Sequence, residues 1–167
     1  IPAGGTVIIV YKVRTNQFAP LDQESSIENT VSVIGDGINT PITANETVYP
    51  QSEPILSITK ALTPIVVEEN SRITYSFTIE NKGNVDVTAG DSVVLTDKFN
   101  PILSDITVTF NGTAWTEGVN YIYDATTGEF STVAGQITVP SATVTRNETT
   151  GAVSITPGVS TITVTGT

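Results

Sequence analysis

Hydrophobic and polar residues alternate along most of the chain, and a period of two is typical of β-strands that bury one face. The clearest case is residues 72–80, where four apolar side chains alternate with polar ones. No window shows the 3.6-residue period of an amphipathic helix. The pattern predicts strands at residues 6–13, 27–34, 41–49, 55–62, 72–80, 92–96, 106–110, 120–123, 135–139, 143–146, 152–156 and 162–164.

Short turn sequences separate these predicted strands. Asn111-Gly112 and Thr127-Gly128 are examples, and glycine supplies the positive φ that tight hairpin turns need. The composition agrees, because Thr (29), Val (20) and Ile (18) make up 67 of the 167 residues, and β-branched side chains favour strands. The sequence therefore predicts an all-β fold, a β-sandwich of Greek-key type.

Composition also excludes several functions. The chain has no Cys, His or Met, so it has no thiolate or imidazole metal ligand, no disulfide and no histidine base. We therefore expect no enzyme activity, no metal and no cofactor. A net charge of −10 argues against nucleic acid or anionic lipid as a partner. No apolar run approaches the roughly 18 residues of a membrane span, so we expect no membrane insertion.

The predicted strands divide unevenly along the chain. Residues 48–54 contain two prolines and polar residues, which favours an extended linker. Residues 1–47 hold about three strands, too few for an independent domain. Both ends of the sequence resemble the interior of a hairpin. We therefore expect residues 55–167 to form the bulk of one repeat, and residues 1–47 to supply the C-terminal strands that complete the preceding one. The alternative is a single chain folded as a circular permutant.

Several short motifs together resemble the conserved repeat domain of Gram-positive bacterial surface proteins. They are LSITK at residues 56–60, ITYSFTIENKG at residues 73–83, VLTD at residues 94–97, PAGG at residues 2–5 and IENTVSV at residues 27–33. The last two close the family pattern but stand here at the front of the chain. The resemblance implies an immunoglobulin-like sandwich that occurs in tandem in extracellular adhesins, stalks and fibres attached to the cell surface or cell wall.

The resemblance also implies a spontaneous isopeptide bond. By motif, Lys60 and Asn29 are the cross-linked pair, and Asp97 is the autocatalytic residue. A lysine amine must be neutral to attack an amide, and burial in an apolar sandwich favours the neutral amine. A buried carboxyl that keeps its proton can move protons as ammonia leaves. The alternative is that Lys60 points to solvent and that Asn29 is a turn or bulge residue.

Two functions follow as expectations. The first is a structural repeat of a surface fibre, stalk or pilus-like filament, whose partners are neighbouring copies joined by strand pairing. The alternative is an adhesin module that binds a protein or glycan of a host surface. For a glycan, Trp115, Tyr121 and Tyr123 are the candidate stacking residues, although aromatic residues on strands are more often core. Four acidic loop residues are weak candidates for calcium: Asp86, Asp91, Asp105 and Asp124.

Overall fold

A computed structural model describes residues 3–16, 19, 22–66 and 68–167. Within them the regular secondary structure is almost entirely antiparallel strands, which confirms the predicted all-β fold class. Apart from a single turn of 3₁₀-helix at Ala89–Asp91, the elements are strands. In chain order they are β1 (Ile27–Val33), β2 (Ile42–Val48), β3 (Leu56–Thr63), β4 (Ile73–Asn81), β5 (Thr96–Lys98), β6 (Thr107–Phe110), β7 (Thr113–Trp115), β8 (Tyr121–Asp124), β9 (Glu129–Thr132), β10 (Thr143–Arg146), β11 (Val153–Thr156) and β12 (Gly158–Gly166).

Two sheets form a sandwich around one core. The larger sheet has the order β3-β4-β12-β6-β7, and the smaller has the order β5-β9-β8. Their inner faces contribute Phe77 and Ile162 from the larger sheet and Phe130 and Tyr121 from the smaller one. Phe99, just after β5, lies between them, with its ring centroid 4.8 Å from that of Tyr75. The remaining strands form two hairpins, β1-β2 and β10-β11.

The long central strands β4 and β12 follow the alternation of the sequence. Every second residue of each strand is buried, and the residues between them on the outer face are half-buried, except Val159, which is exposed. Hydroxyl groups on that outer face bond across the strands. The Oγ1 atoms of Thr74 and Thr165 are 2.8 Å apart, and those of Thr109 and Thr163 are 2.6 Å apart. The threonine-rich pattern thus stabilises the sheet from its solvent side.

The structure differs from the strand prediction in two ways: two predicted strands are absent, and two short strands are present that the pattern does not predict. Residues 6–13 form no strand, although their sequence favours one, because no other described segment supplies a ladder of hydrogen bonds to them. Residues 135–139 are also not a strand. Ile137 and Val139 are nevertheless fully buried, and Val139 makes one bridge to Val87. The short strands β7 and β9 were not predicted.

Among the described residues, no helix has the length and apolar character to cross a lipid bilayer.

Candidate functional site at the open edge of the sandwich

The two sheets of the sandwich leave one side open. β3 is an edge strand of the larger sheet and β5 is an edge strand of the smaller one. A groove of about 310 Å³ lies between them, lined by residues of β3 and by residues 93–96. We call this region the open edge, defined by β3 (Leu56–Thr63) and residues 93–97. An edge with unpaired backbone groups is a template for a further strand.

The inner face of β3 is apolar but uncovered. Ile58 lies opposite buried Ile79, and Leu62 lies opposite buried Tyr75, so both face the core side of the sheet. Even so, Ile58 is 55% exposed. Leu56 and Leu62 share this face and are also exposed. Their exposure leaves an apolar strip on the surface.

The backbone of β3 has one free side. The amide of Lys82 donates to the carbonyl of Ile55, and Ser57 lies opposite Glu80 two residues further on. Because hydrogen bonding alternates along an antiparallel pair, the odd-numbered residues of β3 bond to β4. The N–H and C=O groups of Leu56, Ile58, Lys60 and Leu62 therefore point to the open edge.

Lys60 and Asp97 meet in the open edge and join the two sheets. Lys60 on β3 donates a hydrogen bond from Nζ to Oδ2 of Asp97 on β5. The same Nζ lies 4.6 Å from the ring centroid of Tyr75, 5.5 Å from that of Phe77 and 5.6 Å from that of Phe99. The side chains of Lys60 and Asp97 are 42% and 19% exposed. The ion pair thus packs against three aromatic rings on one side and is accessible to solvent on the other.

Asn29 lies apart from this pair. It stands on β1 opposite Glu46 and donates from Nδ2 to the hydroxyl of Tyr11 at 3.0 Å. Among the described residues, neither Lys60 nor Asp97 contacts it. The structure therefore brings together two of the three residues that the sequence analysis selected, and the third is exposed on the β1-β2 hairpin.

The Asn-x-Gly part of the family-like motif has a structural role that sequence reasoning missed. Asn81 is fully buried, and its Oδ1 accepts hydrogen bonds from the amides of Ile55 and Gly83. Its Nδ2 donates to the carbonyl of Val85. A Cβ on Gly83 would lie 2.0 Å from the carbonyl oxygen of Glu53. The two residues hold the segment that enters β3 against the turn after β4. The sequence signal that could have predicted this role is the Asn-x-Gly at the end of a nine-residue alternating strand.

The other candidate residues have structural partners. Tyr121 is buried, and this burial, together with the nearby charge of Glu117, raises the pKa of its hydroxyl. Tyr123 bonds through its hydroxyl to the backbone of Leu103. Trp115 stacks on Phe110 at 5.0 Å and packs against the core. The three aromatic residues therefore do not form an open stacking platform.

Three of the four acidic loop residues accept hydrogen bonds from backbone amides. Asp86 accepts from the amide of Ser141, Asp91 from that of Thr88 and Asp124 from that of Thr126, and these hydrogen bonds lower the pKa of each carboxyl. Asp105 adopts a positive φ of 49° in its turn. The described residues include no group of three or more acidic side chains placed to hold a metal ion.

Comparisons with family models, with curated proteins and with solved structures found no match to this chain. The resemblance to the bacterial surface repeat therefore stays a prediction from the motifs.

Proposed function

We propose that this chain is a structural subunit of an extracellular bacterial surface fibre, stalk or pilus-like filament, and that neighbouring copies join by β-strand complementation. The observation that carries the proposal is the open edge, where an apolar strip and a row of unpaired backbone groups lie side by side. A strand added there would gain ladder hydrogen bonds and would cover the strip. The completed sandwich would be of the immunoglobulin-like kind.

The same chain carries apolar segments that need a partner. Residues 6–13 are rich in Val and Ile, form no strand and are exposed throughout. The β1-β2 hairpin is also exposed, and an isolated two-stranded hairpin is only marginally stable in water. The larger sheet therefore has an edge with no further strand, and the strands of the β1-β2 hairpin belong to neither sheet of the sandwich. Exchange between copies would satisfy both.

The position of Lys60 supports a covalent lock at the same place. We propose that Nζ of Lys60 attacks the side-chain carbonyl carbon of Asn29. A new C–N bond forms, the bond from that carbon to Nδ2 breaks, and Nδ2 leaves as ammonia. Asp97 is already hydrogen-bonded to Nζ. It takes the proton from the amine and passes a proton to the leaving nitrogen. A strand that covers the pair would exclude water and favour the neutral amine and carboxyl that the reaction needs.

Intact mass under denaturing conditions tests this proposal, with samples of the wild type, Lys60→Ala and Lys98→Ala. Lys98 is the matched control, since it lies on β5 and its ion pair with Glu129 is exposed on both sides. We expect the wild type and Lys98→Ala to form covalent multimers lighter than their formula by one ammonia per bond, and Lys60→Ala to form none. Formula mass in all three would reject the covalent lock, and a chain that stays monomeric at every concentration would reject the fibre.

A further inference from the structure

The β1-β2 hairpin has a backbone edge along β2. The ladder between the two strands runs from the pair Ile27–Val48 to the pair Val33–Ile42. Among the described residues, no backbone hydrogen bond joins the chain beyond either pair, so the ladder begins and ends on bonded pairs. Because hydrogen bonding alternates along an antiparallel pair, the even-numbered residues of β2 bond to β1. The groups that point away from β1 belong to the odd-numbered residues, which are Thr43, Asn45 and Thr47.

The side chains on one face of β2 match those on the inner face of β3. The even-numbered residues of both strands are apolar at the first, second and fourth positions and charged at the third. On β2 they are Ile42, Ala44, Glu46 and Val48, and on β3 they are Leu56, Ile58, Lys60 and Leu62. The large apolar residues of both sets are exposed. Because the order is the same in the same chain direction, the two faces match in a parallel pairing.

We propose that the free edge of β3 pairs in parallel with β2 of a second copy of this chain, with Lys60 opposite Glu46. The inference rests on the proposed function and names the strand that completes the open edge. Each apolar residue then meets an apolar one, and the cation meets a carboxylate.

The backbone groups of the two edges also fit this register. In a parallel pair, a residue whose groups point to the partner strand bonds to the two residues that flank its opposite number. Lys60 would therefore bond to Asn45 and Thr47, whose groups point away from β1. At the start of the ladder, the amide of Leu56 would donate to the carbonyl of Pro41. The missing N–H of that proline costs no bond.

Other pairings of the same edges fit less well. An antiparallel pairing with β2 would set its odd-numbered residues opposite the outward groups of β3, and would turn polar side chains toward the core side. The free edge of β1 accepts β3 in parallel with Lys60 opposite Asn29. That register leaves Leu56 opposite Ser25 and gives the cation no carboxylate opposite it.

The pairing does not depend on the covalent lock. Asn29 is opposite Glu46 in the hairpin, so it would lie on the same face as Lys60 but one strand further away. Two strand spacings are roughly 10 Å. A bond to Asn29 would need the lysine side chain to reach across β2, so strand pairing and the lock have separate tests.

The length of the linker decides between the chain's own hairpin and that of a second copy. In the proposed register Val48 would lie at the Leu62 end of β3. The linker, however, is held at the other end of β3, where Glu53 donates to Asn84. The strand from Ile55 to Leu62 separates those ends by roughly 23 Å. The five steps from Val48 to Glu53 span at most about 18 Å. The hairpin must therefore come from another copy.

Disulfide trapping tests the register, and the chain is suited to it because it has no cysteine of its own. Opposite Cα atoms on neighbouring strands are about 5 Å apart, which a disulfide can span. Ile58→Cys, labelled with a heavy isotope, is mixed with unlabelled Ala44→Cys and oxidised. Two matched controls replace Ala44→Cys: Asn45→Cys, which lies on the other face of β2, and Ile27→Cys, which reports the parallel pairing with β1. We expect mixed-isotope disulfide dimers several-fold more abundant with Ala44→Cys than with either control.

The outcomes separate the register from the proposed function. Disulfide-linked dimers disappear on reduction, whereas isopeptide-linked multimers remain. Preferential trapping by Ile27→Cys would overturn the pairing with β2, and equal trapping by Asn45→Cys would show that β2 does not present this face. Chains that assemble but give no mixed disulfide would reject the inference and leave the fibre proposal standing. Chains that do not assemble would reject both.

Discussion

At the scale of single residues, the buried side-chain amide of Asn81 holds the start of β3 against the turn after β4. Asn81 satisfies three backbone groups at the point where the linker meets the sandwich. A buried backbone group that loses its partner costs about 1–3 kcal/mol. Substitution of a buried polar residue with such a network is therefore expected to lower stability, whereas substitution of the many exposed polar residues of this chain is not.

We expect Asn81→Ala to lower the free energy of unfolding by about 3 kcal/mol, because it leaves the amides of Ile55 and Gly83 and the carbonyl of Val85 unpaired. Urea denaturation followed by the fluorescence of Trp115 measures this change. Asn45→Ala is the matched control, since the side chain of Asn45 is exposed and, among the described residues, bonds to the Glu28 side chain; the variant should change stability by about 0.5 kcal/mol or less. Equal effects from both variants would contradict the role of Asn81.

Three loop carboxylates that accept backbone hydrogen bonds make stability depend on acid pH. The amide hydrogen bonds of Asp86, Asp91 and Asp124 lower the pKa of each below its ordinary value of 3.8. A lowered pKa in the folded state stabilises the fold above the unfolded pKa, and this contribution is lost as the pH falls through the folded pKa. We expect the melting temperature to fall as the pH drops below about 4. Asp86→Asn should make that fall shallower, and an unchanged acid profile would argue against this cause.

At the scale of elements, the entry into β3 depends on close packing between the linker and the turn after β4. Gly83 has no room for a side chain, because a Cβ there would lie within 3 Å of three backbone atoms of Glu53, Pro54 and Ile55. The carbonyl of Gly83 also accepts from the amide of Ala142, which ties the turn to the segment before β10. A side chain at this position must therefore displace backbone.

We expect Gly83→Ala to detach residues 53–55 from the sandwich and to lower the free energy of unfolding by about 1–3 kcal/mol. Amide hydrogen exchange at Glu53 and Ile55 measures the detachment and should become faster. Gly90→Ala is the matched control, because a Cβ at Gly90 meets only the Thr88 hydroxyl at an ordinary 3.5 Å. Slow exchange at Ile55 in Gly83→Ala would show that the linker tolerates the methyl group.

At the scale of the whole molecule, two separate surfaces expose apolar side chains on strands. Both the open edge and the β1-β2 hairpin expose large aliphatic side chains, and both offer strand edges. Such surfaces are normally covered in stable proteins. The net charge of −10 opposes association of copies at long range, so the association proposed above would depend on these apolar faces.

We expect the mass of the wild-type chain to rise with concentration in light scattering, and we expect Val31→Asp to weaken that association. Val31 lies on the apolar face of β1 with Ile27 and Val33, so the new carboxylate would lose its water if that face is covered in the assembled form. Thr30→Asp adds the same charge on the opposite face of β1, and so serves as the control that keeps the wild-type association. If both variants associate equally, the apolar face of β1 is not the contact surface.

The sequence by itself determined the fold class and most of the strand positions. A period of two indicates which side chains share a face, and it correctly selected the inward residues of β4 and, in β12, Ile162 and Val164. The motif resemblance selected Lys60 and Asp97, which the structure brings together. Their cross-link to Asn29 stays a prediction.

Only the tertiary structure decided which strands pair, and therefore which edges stay open. Alternation is a local property, whereas a ladder needs a second strand from a distant part of the chain. Residues 6–13 have the pattern of a strand but no partner, and Ile137 is fully buried without being in one. The buried seat formed by Asn81 and Gly83 likewise depends on a linker some 26 residues earlier in the chain meeting the turn after β4. Such contacts are set by packing in three dimensions, which a one-dimensional pattern does not encode.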